Sequence, residues 1–418
     1  MESVAIIGAG ISGLAVAHLL KQKYKVVLFE KETVAGGLIR CIRVNGSLYH
    51  ICGGHVFNSK KQNVLDWFWN RFDKDCEFSK AIRNSVVFMT ESKHVPYPIE
   101  NYVYLFEPEI QKSIIHDLLA LYKCNGRQSE NFEEFLKNHF GTTLYKLYFK
   151  PYNEKVWRRN LDNVPLSWLE GKLPMPNIEE ILFNNFNHVK EREFVHSSFF
   201  YEKINGSQYI ADKLAEGLDI NFNHEISSIA KCGSGWMLDN LYFDKVVFCG
   251  NIKQLPSMIK SFDKILPFIN DIDALEYHGT TSVFCEIDKN PYSWIYLPDK
   301  SYDAHRIICT GNFSEINNAS GLVDRITATV EFTDLISKDD ILEQLKRIPL
   351  NPEYITHRYN QYTYPIQNSN TRKMISNLKE VLSSDNFFMT GRFADWEYYN
   401  MDVAIGAAMN LCEKLRAL

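Results

Sequence analysis

The sequence predicts an α/β fold, and three observations carry the prediction. First, the apolar run Val4-Ala5-Ile6-Ile7 leads into Gly8-Ala9-Gly10-Ile11-Ser12-Gly13, then an alanine- and leucine-rich stretch to Leu20, then Lys25-Val26-Val27-Leu28-Phe29-Glu30. That order is strand, glycine turn, helix, strand, acid, the pattern of a Rossmann-like unit. Second, strand and helix patterns return at 206–260 and again at the C-terminus. Third, residues 277–333 alternate with the two-residue period of β-strands, which predicts an antiparallel sheet of at least four strands.

The glycines at 8, 10 and 13 let the backbone turn tightly and come close to a pyrophosphate on the positive end of the helix that Ile11, Ser12 and Gly13 open. Glu30 follows Gly8 by 22 positions (30 − 8), where a carboxylate can accept from an adenosine ribose hydroxyl. Lys31 comes next, then Gly36-Gly37-Leu38. A Gly-Gly pair just past the acidic strand end resembles the extended fingerprint of FAD-containing oxidoreductases of the glutathione-reductase and amine-oxidase type. The resemblance implies FAD rather than NAD as the resident cofactor, and a plain chain reversal is the structural alternative.

The remaining elements follow in order. Residues 62–72 read as an amphipathic helix, and Ser85–Met89 with Lys93–Val95 as a hairpin stopped by Pro96-Tyr97-Pro98. Helical periodicity covers 110–122, 131–139 and 144–149. A helix opens at Gly206 and ends near Gly217, with strands at 219–222, 236–238 and 246–250. Strands follow at 281–287, 294–297, 305–309 and 328–332. Asn386–Gly391 reads as strand then turn, and 402–415 as a helix with Asp402 as its N-cap. With no linker or repeat in the chain, the lobes interrupt one another. The expected division is an FAD-binding Rossmann-like (GR2-type) domain from 1–80, 205–262 and 384–418, a helical insertion at 100–165, and an antiparallel-sheet substrate domain from 81–99, 166–204 and 263–383.

Bulk properties narrow the class. A chain of 418 residues that is 45% hydrophobic and 13% aromatic supports a large folded interior of two or three lobes. The net charge of −5 comes without a block of like charge, which argues against a nucleic-acid or anionic-membrane partner. Nine scattered cysteines without a C-x-x-C point to buried thiols in a reducing compartment, with neither a disulfide framework nor a zinc or other metal site. The apolar N-terminal run is a strand, not a signal peptide, and no window reaches about 18 apolar residues, so no membrane span is expected.

Four segments narrow the chemistry. They are Gly53-Gly54-His55-Val56-Phe57, Pro151-Tyr152-Asn153-Glu154-Lys155-Val156-Trp157, Trp294 to Phe313 with His305-Arg306, and Gly391-Arg392 to Asp402 with Tyr398-Tyr399. Together they resemble the UDP-galactopyranose mutase family, the flavin-dependent mutases that interconvert pyranose and furanose forms of nucleotide sugars. The resemblance implies an isomerase with no net redox change, in which reduced-flavin N5 attacks the anomeric carbon and displaces the nucleoside diphosphate. It implies FAD kept reduced by NAD(P)H or another donor, a substrate that is a UDP-linked sugar, and a homodimer. It also implies a cytoplasmic setting in cell-surface polysaccharide biosynthesis.

Carried onto this sequence, the resemblance places His55 near the isoalloxazine, Arg306 on the diphosphate, and Tyr364 and Tyr398 on the phosphates. Tyr152 and Trp157 shape the nucleotide and sugar side of the pocket. Gly391, Arg392, Met401 and Asp402 form the second cofactor-contacting element. Lys172 stands where the family has a second diphosphate-binding arginine; it keeps the charge and loses the fork. Asn400 stands where bacterial members carry an aspartate. The structural alternatives are a turn histidine, a surface salt bridge for Arg306, a solvated Lys172, a buried aromatic pair and a simple helix cap. A redox enzyme of the amine-oxidase or protoporphyrinogen-oxidase kind shares the N-terminal fingerprint and is the alternative reading; the segments around Trp157 and Arg306 favour the mutase.

Overall fold

Five parallel strands form the sheet on which the nucleotide lobe is built, in the order Phe387–Met389, Lys245–Phe248, Ser3–Ile7, Lys25–Phe29, Ile220–Asn221. This is a computed structural model, and it describes residues 1–123, 128–166, 177–190 and 198–417. The sheet draws on three separated stretches of chain, because both of its faces must be covered and the later segments bring strands that fit beside the first. Helices Ile11–Leu20, Ser207–Ala215 and Met401–Ala417 pack Leu14, Val16, Leu214, Ile405 and Leu415 against one face. Trp236, Phe243, Leu378 and Trp396 cover the other.

The C-terminal helix corrects one expectation. It runs Met401–Ala417, and the Ala404 amide donates to the Asn400 carbonyl oxygen at 2.9 Å. Asn400 therefore occupies the N-cap position, and Asp402 sits inside the first turn, where its charge still faces the positive helix end.

The second large sheet has seven strands in the order Glu353–Ile366, Glu276–Asp288, Arg325–Thr333, Arg306–Ile308, Trp294–Tyr296, Ser85–Phe88, His94–Pro96. The four strands expected from 277–333 pair antiparallel, and one parallel pair, Trp294–Tyr296 with Ser85–Phe88, joins the N-terminal hairpin to them. Antiparallel neighbours need only a short turn, whereas these two segments are joined by a long crossover through the helical and nucleotide lobes, which lets them run the same way. Strand period sorts the side chains. Val283, Cys285, Ile307, Val330 and Phe332 fill the core on one face. On the other face, register lines up Tyr296, Arg306, Glu331, Ser282 and Arg358 across successive strands.

Above that row lies a helical layer. Phe132–Leu144 continues through a π-helical turn, Tyr145–Phe149, into Lys150–Trp157. A π turn re-aims the side chains that follow it. Here Tyr148 and Tyr152 emerge stacked at a centroid distance of 5.4 Å. Helix Ile178–Phe186 joins this layer by burying Ile181 in the same core as Tyr102 and Val103, so part of the segment grouped with the sheet contributes to the helical layer. Among the described residues, no helix is long and apolar enough to cross a membrane.

Candidate active site

The glycine turn and the Gly36-Gly37 pair are laced together. Gly8 N–H donates to Phe29 O at 2.8 Å, Gly36 N–H to Ala9 O at 2.9 Å, and Gly10 bridges Gly36. A Cβ on Gly13 would stand 1.9 Å from Gly8 O, and one on Gly37 would stand 3.3 Å from Gly10 Cα. The start of helix Ile11–Leu20, with buried Ser12, is thus a cradle lined by bare backbone. Gly391 closes it from the C-terminal segment, its Cβ position 3.3 Å from Ser12 Oγ. These observations fit the pyrophosphate end of a dinucleotide. Glu30 is buried at the rim, accepting from Ala9 N–H at 2.7 Å and Glu32 N–H at 3.0 Å, which fixes the carboxylate beside the cradle. Lys31 is exposed and Leu38 half-buried beyond it, and Met401 is buried at the head of the last helix.

The chemistry-bearing side chains gather where the sheet row meets this lobe. Arg306 opens strand Arg306–Ile308 directly opposite Glu331, so the register itself makes the ion pair. Arg306 Nε donates to Glu331 Oε2, and Nη2 donates to Tyr364 Oη at 3.2 Å. The other Glu331 oxygen accepts from Gly53 N–H at 2.8 Å. One carboxylate therefore ties Arg306 to the turn that carries His55. Glu331 is 0% exposed. Burial alone would raise its carboxyl, but Arg306 and His305 outweigh burial and hold it well below the usual carboxylate range.

His55 follows a turn that only glycine fits: a Cβ on Gly54 would lie 2.7 Å from Ile308 Cγ2. Its amide donates to His50 Nδ1 at 3.3 Å, and His50 Nε2 lies 2.9 Å from Tyr201 Oη. The ring of His55 has a buried Nε2 with no hydrogen-bond partner in the protein. Burial, and then the nearby Arg392, pull its imidazole down to about 4, so it is neutral at physiological pH. Arg392 donates to Tyr399 O at 3.1 Å and to Thr363 O. Its guanidinium covers the Tyr398 ring at 4.1 Å, and Tyr398 stacks on Tyr364 at 5.5 Å.

The opposite wall is aromatic. Tyr152 meets Tyr296 edge-on at 5.5 Å, Tyr97 lies 4.8 Å from Tyr296, and Arg83 donates to Tyr296 Oη at 2.8 Å. Burial raises both the Tyr152 and Tyr364 phenols, which remain neutral hydrogen-bond donors.

The structure thus brings together His55, Arg306, Tyr152, Tyr364, Tyr398 and Arg392. Trp157 lies deeper, 6% exposed in the helical core with Leu161 and Val164. Asn400 is exposed at the cap of the last helix. Lys172 lies outside the described residues. Sequence reasoning missed Glu331, Arg83 and Tyr296. Glu331 did carry a signal, since an acid between Val330 and Phe332 in a buried strand needs a cationic partner. Which cation it met was decided only by register.

Known proteins share this fold. Residues 6–72 match the family model of the NAD(P)-binding Rossmann-like domain. A UDP-galactopyranose mutase from Mycoplasma genitalium is 23% identical over 99% of this chain and 94% of its own length. Over nearly its whole length the chain is thus similar to a UDP-galactopyranose mutase. A dTDP-fucopyranose mutase from Escherichia coli is 26% identical over 42% of the chain and 46% of its own length. Among solved structures, a reduced UDP-galactopyranose mutase superposes with a TM-score of 0.86 at 20% identity, covering 100% of this chain and 96% of that one. A putative protoporphyrinogen oxidase from Exiguobacterium follows at a TM-score of 0.75 and 14% identity, covering 100% and 99%. Fold is therefore shared with redox enzymes, and the contents of the site must separate the two chemistries.

Proposed function

We propose that this chain is a flavin-dependent mutase that interconverts the pyranose and furanose forms of a nucleotide sugar, with UDP-galactopyranose and UDP-galactofuranose as the pair. The observation that carries the reading is the half-buried Arg306 guanidinium, charge-balanced by the buried Glu331 and flanked by Tyr364 and Tyr398. Two of its five N–H groups are used by Glu331 and Tyr364, which leaves three (5 − 2) for phosphate oxygens. Bidentate contact to a diphosphate suits that fork. The phenols add donors without adding charge, so the leaving group is held through departure and return.

FAD is the cofactor that the glycine cradle and Glu30 fit; when reduced, it supplies the nucleophile at N5. Gly8, Gly10, Ile11, Ser12 and Gly13 would hold its pyrophosphate, with Gly36, Gly37, Leu38 and Lys31 beside them. Gly391, Arg392, Met401 and Asp402 would face its ring end. His55, kept neutral, can exchange a hydrogen bond there without placing a positive charge beside the ring. Tyr152 offers a face for the nucleotide and Trp157 stiffens the helix behind it. Lys172 is proposed as a second diphosphate cation and Asn400 as a polar group at the rim. The protein is proposed to work as a homodimer in the cytoplasm.

An amine oxidase would need to draw a cationic amine past Arg306 and Arg392, which repel it. The deciding assay incubates dithionite-reduced protein with UDP-galactofuranose and follows UDP-galactopyranose. Turnover only after reduction, with no oxidant consumed, is the expected result. Steady oxygen consumption with an amine, and no isomerisation of any nucleotide sugar, would overturn the proposal. Arg306→Ala should lose most activity with FAD still bound.

A further inference from the structure

Lys155 is among the most deeply buried lysines of the described chain, at 8% exposed. Its ammonium donates to Leu297 O at 2.8 Å, to Ala304 O at 3.1 Å and to Asp299 O, and stands 4.7 Å from the centre of the Tyr302 ring. All three carbonyls belong to one connection, the loop between strands Trp294–Tyr296 and Arg306–Ile308. Tyr296 ends the first strand and Arg306 begins the second. Lys155 lies three residues after Tyr152 on helix Lys150–Trp157, so both project from the same face of that helix. The end of the helix is fastened to the sheet as well. Trp157 O lies 2.8 Å from His278 Nε2, and Arg158 donates to Thr333 O at 3.2 Å, two residues past Glu331.

We propose that Lys155 is a positioning residue for substrate binding: by gripping the 297–304 loop it fixes Tyr152, Tyr296 and Arg306 relative to one another. The inference rests on the mutase reading, because it assigns these three residues to nucleotide and diphosphate. A lysine carries three hydrogens only when charged, and each is matched here by a carbonyl. The groups that face it are Asp299 and Asp303 from the loop, Arg158 from its own helix end, and His305 from the strand start. Burial pulls the ammonium down to about 7 against the two aspartates. Deprotonation leaves two hydrogens for three acceptors, so the grip loosens as pH rises through neutrality.

The test measures UDP-galactose affinity by calorimetry from pH 6 to pH 8.5, a range in which the diphosphate diester does not ionise. FAD-loaded wild type and Lys155→Met are compared, with FAD content and melting temperature recorded for each. Wild type should bind several-fold more weakly at pH 8.5 than at pH 6. Lys155→Met should bind about tenfold more weakly at pH 6, or ~1.4 kcal/mol, with unchanged FAD content and no remaining pH slope. Wild-type affinity independent of pH, a variant within twofold of wild type at pH 6, or a variant that keeps the wild-type slope would each overturn the inference. If Lys155→Met does not fold, the wild-type series decides alone. A wild type that binds no UDP-sugar at any pH removes the mutase reading and this inference with it, an outcome distinct from failure of the variant alone.

Discussion

Replacing Arg306 by methionine tests the charge balance on which the site is built. Methionine keeps much of the volume and removes the guanidinium. Glu331, at 0% exposed, is then left with Gly53 N–H at 2.8 Å and His305 Nε2 at 3.7 Å. Breaking a buried ion pair by removing one partner costs about 3–5 kcal/mol. Arg306 retains 19% side-chain exposure and the Gly53 amide stays in place, so the lower end, about 3 kcal/mol, applies. With an unfolding entropy of about 2.1 cal/mol/K per residue, 418 residues treated as one cooperative unit give about 0.9 kcal/mol/K. The melting temperature should fall by roughly 3–4 °C.

The double variant Arg306→Met/Glu331→Gln removes both charges and should recover at least about 1 kcal/mol of that loss. The sign with pH is also fixed. In wild type the Glu331 carboxyl is held low and its contribution is lost only as pH falls into the acid range. In Arg306→Met burial raises it, so protonation relieves the variant and the gap to wild type narrows between pH 7 and pH 5. Thermal melts of the three FAD-loaded proteins at both pH values give the answer. A single variant that melts within 1 °C of wild type, or a double variant less stable than the single, would refute the reasoning.

Two further outcomes are expected. Burial pulls His50 down to about 3 and His55 to about 4, each from an unfolded value near 6.5. The unfolded chain therefore takes up protons first as pH falls. Stability should drop below pH 6.5 by about 1.4 kcal/mol per pH unit for each ring. Melts of wild type and His55→Gln between pH 7 and pH 5 should show a shallower fall in the variant, and equal slopes would count against a sealed, neutral His55. Gly13→Ala should abolish FAD retention, because its Cβ would meet Gly8 O at 1.9 Å; an undiminished flavin absorbance after gel filtration would disprove the close packing of that turn.

Read from residues alone, the nucleotide lobe was almost complete. Strand, glycine turn, helix, strand and acid are local features, each dictated by backbone sterics and apolar period within about thirty residues. The same holds for Arg306 at the start of a strand and His55 after two glycines. The cap of the last helix was misplaced by two residues because Asn400 and Asp402 are both good caps, and only the hydrogen bond from Ala404 distinguishes them. What no local feature could supply is which distant segments become neighbours. The parallel pairing of Ser85–Phe88 with Trp294–Tyr296, the placement of Glu331 opposite Arg306, and the closure of three carbonyls around Lys155 all join residues far apart in the chain. Local backbone sterics and apolar period, both readable in the chain, dictate the elements. Register and long-range packing decided which charges share a low-dielectric interior, and so which side chains make the site.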